Sequence, residues 1–66
     1  MDVNVAFLKQ NKVRLTFKNG LDKETLYIIS QTMNLIAQAK KGNETIMLTD
    51  KVSFNKLVDD KILLFN

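Results

Sequence analysis

The chain contains neither cysteine nor histidine, and that double absence constrains its fold more than any other feature of its 66 residues. A domain of this size buries only about 60% of the surface its unfolded chain exposes. Most chains this small add a disulfide, a structural metal or a partner subunit. Without Cys a disulfide is impossible, and without Cys and His a structural zinc has no ligands. Oligomerisation, or docking onto a larger partner, is the support left open. One core fits in this length, so residues 1–66 are expected to form a single small domain.

The same absences narrow the chemistry. No side chain here titrates near neutral pH unperturbed, and the usual nucleophile–base pairs cannot be assembled. An enzyme would have to run on carboxylates, Lys, Tyr27 and hydroxyls, without a deep cleft to hold a substrate. A non-catalytic protein is therefore expected, with no cofactor and no small-molecule substrate. Asp59-Asp60 with Asp50 and Glu44 match no metal-binding loop and read as turn chemistry. Gly20 and Gly42 stand alone and cradle no phosphate, and Ser30 and Ser53 have no base partner.

Hydrophobic residues make up 45% of the chain and charged residues 26%, the balance of a folded domain. No apolar run approaches the roughly 20 residues of a membrane span, and no signal peptide is visible. A cytoplasmic protein without membrane partners is expected. The abundance of Lys and Asn suits an AT-rich bacterial or phage genome.

Periodicity supplies the elements. Residues 3–8 and 13–17 alternate as strands, with Val3, Val5 and Phe7, then Val13, Leu15 and Phe17, each on one face. Polar Lys9-Gln10-Asn11-Lys12 suits a hairpin connection between them. Asn19-Gly20 breaks the second strand. From Asp22 to about Lys41 the spacing predicts one long helix, with Asp22 as N-cap, Lys40 and Lys41 in the last turn and Gly42 as C-cap. Thr45–Thr49 reads as a short strand. Residues 50–60 fit either a strand or a short helix capped by Asp50 or Ser53, with Phe54, Leu57 and Val58 on one face. Residues 61–65 read as a closing apolar strand. The predicted fold is α+β: an N-terminal hairpin and C-terminal strands packed on one long helix, in the order ββαβ(α or β)β.

Two surfaces stand out. On the predicted helix Leu26, Ile29, Met33, Ile36 and Ala37 gather on one arc, the face expected to pack on the sheet. Ile28, Leu35 and Ala39 form a second apolar stripe nearly opposite, with Tyr27, Gln31, Asn34 and Gln38 between. That stripe is the candidate protein interface, for a foreign partner or a homodimer. The second surface is electrostatic. Residues 1–21 hold Lys9, Lys12, Arg14 and Lys18 against the single acid Asp2, whereas residues 22–66 balance six bases with six acids. The net charge of +3 thus sits on the hairpin. Lys12, Arg14, Thr16 and Lys18 alternate along one strand and would share a face. The alternative function is accordingly nucleic-acid binding through Lys9, Lys12, Arg14 and Lys18. The leading expectation is a small regulatory or inhibitory protein acting by protein–protein binding.

The segment Asn19-Gly20-Leu21 opening a helix resembles the phosphocarrier proteins of the sugar phosphotransferase system. Asp22 stands where that family carries its phosphorylated histidine, and the Arg-Pro that follows there is absent. No activity carries over.

Overall fold

The computed structural model describes residues 2–63. Their order is β1 (Val3–Phe7), β2 (Lys12–Phe17), α1 (Lys23–Thr32), β3 (Ala37–Lys41), β4 (Glu44–Asp50) and α2 (Lys51–Asp59). The four strands form one antiparallel sheet in the order β1-β2-β4-β3, and the chain is an α+β protein.

The N-terminal hairpin forms as the alternation predicts. Val5 lies opposite Leu15 and Phe7 opposite Val13. Gln10 and Asn11 both take left-handed backbone angles (φ +60° and +59°), and the Lys12 N–H closes the turn onto the Lys9 carbonyl at 3.3 Å. Two successive positive φ angles give the twist that antiparallel strands favour. Along β2, Val13, Leu15 and Phe17 are fully buried while Lys12, Arg14 and Thr16 point the other way.

The predicted long helix is corrected by the structure. Helix α1 starts as expected, with the Asp22 carboxylate accepting the Thr25 N–H at 2.8 Å, but it ends at Thr32. Met33 is already extended (φ −107°, ψ 156°). No glycine or proline stops the helix; tertiary bonds to Asn34 do. Its N–H donates to Ser53 Oγ (3.0 Å), its carbonyl accepts from Thr49 Oγ1 (2.7 Å), and its Nδ2 donates to Asp50 Oδ2 (3.2 Å). The Ile36 N–H then reaches the Leu48 carbonyl at 2.8 Å, and residues 37–41 continue as the edge strand β3. Gly42 does have positive φ (+61°), but as the first residue of the two-residue β3–β4 turn rather than a helix cap. Ile36 and Ala37, expected in the core, are exposed for the same reason.

Residues 50–60 resolve as the helix. Asp50 caps α2 through Ser53 N–H at 2.7 Å, and Phe54 and Leu57 are buried, with Val58 half-buried. The expected strand at 61–65 is a correction too. Lys61 takes φ +58°, its N–H bonds Val58 O, and Ile62 and Leu63 N–H both bond Leu57 O. This is a Schellman-type end to α2, which fixes Leu63 inside the core. Residues 64 and 65 of that predicted strand lie outside the described residues.

Ile29 and Met33 of the α1 segment, Phe54 and Leu57 of α2, and Leu63 join Val13, Leu15, Phe17 and Met47 in one apolar cluster. Both helices therefore cover the same face of the sheet. Among the described residues, the opposite face carries no helix.

Candidate interaction face

The pairing registers fix which side chains share the helix-free face. One row across the sheet reads Ala6, Arg14, Leu48, Ala37, and the next reads Asn4, Thr16, Ile46, Ala39. Lys12 and Asp50 form a third row above, and Lys41 and Glu44 a fourth below.

Strand β4 gives this face its character. Its sequence Glu-Thr-Ile-Met-Leu-Thr-Asp alternates, but the two threonines Thr45 and Thr49 are the residues turned inward with Met47. Ile46 and Leu48 are turned out, and neighbouring side chains only half-cover them. Ordinary strand patterning runs the other way, with apolar residues in and hydroxyls out. A one-residue slip in register would reverse the faces. The bond from Thr49 Oγ1 to Asn34 O and the Asp50 cap on α2 both require the observed register.

Asp50 is the electrostatic hinge of the rim. Its Oδ1 accepts the Ser53 N–H, which holds the carboxyl below its ordinary value of 3.8; burial opposes that shift. The Asn34 amide, the Ser53 hydroxyl and the charge of Lys12 lower it further. The Ser53 hydroxyl (3.3 Å from Asp50 Oδ2) is thus engaged in capping, not aligned with a base.

The candidate residues read from the sequence land in several places. Ile28 lies on α1 with 43% of its surface exposed, and Leu35, 36% exposed, lies in the α1–β3 connection. Ala39 is on β3, on the helix-free face beside Ile46. The continuous helical stripe of Ile28, Leu35 and Ala39 is therefore corrected, because the helix ends before Leu35. Lys12 and Arg14 do share the helix-free face, Lys18 follows directly after β2, and Lys9 belongs to the hairpin turn. Phe7 and Phe17 belong to the opposite face. Ile46 and Leu48 were not singled out by sequence. Their inverted alternation with Thr45 and Thr49 was the available signal, but reading it needs the strand's pairing.

A concavity of about 260 Å³ lies between the β2–α1 loop and the β3–β4 turn, lined by Asn19, Gly20, Lys40, Asn43 and Thr45 among others. It offers one cation and several amides, with no acid–base pair. Among the described residues no three acidic groups come together to hold a metal, and no helix is long and apolar enough to cross a membrane. Comparison with protein-family models, curated proteins and solved structures finds no match.

Proposed function

We propose that this chain is a non-catalytic binding protein, regulatory or inhibitory in role, that holds another protein against its helix-free sheet face. The observation that carries this reading is the inverted strand β4, which turns Ile46 and Leu48 away from the core. With Ala37 and Ala39 beside them on β3 they make an apolar patch two rows deep. Lys12, Arg14, Lys41, Glu44 and Asp50 surround it, an apolar middle with a charged rim as in protein interfaces. A partner with an apolar ridge flanked mainly by acidic groups fits this arrangement.

The test is capture of partners from host lysate by wild type and by Ile46→Lys and Leu48→Lys. Loss of a specific protein in both variants, with unchanged circular dichroism, supports the reading. Retention by both and loss in Ile28→Lys would move the interface to α1.

A second reading, nucleic-acid binding, draws on Lys12 and Arg14 of the central strand β2 and on Lys18 just after it. The same face bears Glu44 and Asp50 and, among the described residues, no aromatic ring for base stacking, which favours the protein partner. Binding to a mixed DNA and RNA pool at low salt, with a salt slope reduced by about one in Arg14→Ala, is its expected signature.

A further inference from the structure

Among the described residues the sheet ends in two edges, β1 and β3, and they differ sharply. Strand β3 carries Lys40 and Lys41, the kind of charge that keeps an edge from pairing with a neighbour. Strand β1, Val3-Asn4-Val5-Ala6-Phe7, carries no charge, no proline and no glycine. Phe7 remains 59% exposed although its ring meets Phe54 edge-on at 5.5 Å, and Leu8 beyond it is 41% exposed.

The hydrogen bonds show which backbone groups of β1 are turned outward. Leu8 N–H donates to Lys12 O, and Lys18 N–H donates to Asp2 O. Even-numbered residues thus direct their peptide groups to β2. By the alternation of an antiparallel ladder, Val3, Val5 and Phe7 direct theirs to the edge.

We propose that β1 is a self-association edge, on which a second copy of this chain adds its own β1 antiparallel about a two-fold axis at Val5. In that register Val5 faces Val5 of the second copy, Val3 faces Phe7, and Asn4 faces Ala6. All three outward residues of each strand meet outward residues of the other, giving six N–H···O bonds. Phe7 covers Val3 of the second copy on the helix side, an aromatic–β-branched cross-strand pair.

Charge selects this occupant. In that register Asp2 falls opposite Leu8 of the second copy, so no like charges face each other along the β1 ladder. The β3 edge paired with itself would gather two lysines from each copy and no acid. The two-fold axis is perpendicular to the sheet, so both helix layers stay on one side and the helix-free face doubles in width. This inference is separate from the proposed function: it uses a different surface, and Ile46→Lys or Leu48→Lys leaves it intact.

The experiment is amide hydrogen exchange with sedimentation equilibrium, from about 10 μM to about 1 mM protein. The expected result is a dimer at high concentration, with exchange at Val3, Val5 and Phe7 slowed about tenfold or more as it forms. Val5→Pro removes only outward donors, two of the six bonds, and weakens the dimer about tenfold or more. Phe7→Glu provides the same readout should the proline variant fail to fold. A monomer throughout the range overturns the proposal. So does protection independent of concentration, which would mean that the chain covers β1 itself, or concentration-dependent protection at β3. A dimer undiminished in every variant that folds also overturns it.

Discussion

Single residues in this protein hold positions that their types alone would not assign. Lys61 sits at the left-handed end of α2, where glycine has no Cβ to strain. Lys61→Gly is expected to stabilise the fold by about 1 kcal/mol, read as a raised urea midpoint. The two glycines are unequal. A Cβ on Gly20 (φ +74°) would come within 3.0 Å of the Asn43 carbonyl oxygen, whereas one on Gly42 would meet nothing within 4 Å. Gly20→Ala is expected to cost about 2 kcal/mol and Gly42→Ala about 1, measured in the same denaturation series. In the core, Leu57 is fully buried, and it also lends its carbonyl to the turn that seats Leu63. Leu57→Ala should cost about 3 kcal/mol, a large part of what so small a domain has.

Among the elements, β3 is where local preference and final structure conflict. Ala37-Gln38-Ala39-Lys40-Lys41 are strong helix formers in register with α1, and by themselves they continue that helix. They become a strand because Asn34 is held by Thr49, Asp50 and Ser53, and because β4 offers an open ladder. Such bonds between distant segments leave no trace in local periodicity, so the helix end was not legible. The start of α1, the N-terminal hairpin and the burial of Val13, Leu15 and Phe17 were legible, since caps and two-residue alternation act locally. Replacing Ala39, exposed beside Ile46, with a strand-favouring residue should ease the conflict. Ala39→Val is expected to add about 0.5 kcal/mol, detectable as a small rise in urea midpoint.

For the molecule as a whole, both helices begin on an aspartate whose carboxyl is held below its ordinary 3.8, Asp22 by Thr25 and Asp50 chiefly by the Ser53 N–H. Folding therefore favours the ionised form at both caps. The stability they contribute is fully present above about pH 5 and is lost as pH falls through 4 and below. The melting temperature should follow that course, and Asp50→Asn, still a competent cap, should show a shallower acid limb. The sequence by itself determined the class and the limits: an α+β chain without disulfide or zinc-type support, a buried face on β2 and a basic hairpin. Those follow from composition and from patterns a few residues long. Tertiary structure alone decided that the helix stops at Thr32, that residues 37–41 become an edge, and that Ile46 and Leu48 face outward. The physical reason is common to all three. Which face of β4 is buried, and where α1 must end, depend on pairing with β2 and on bonds made across 15 to 19 residues of chain.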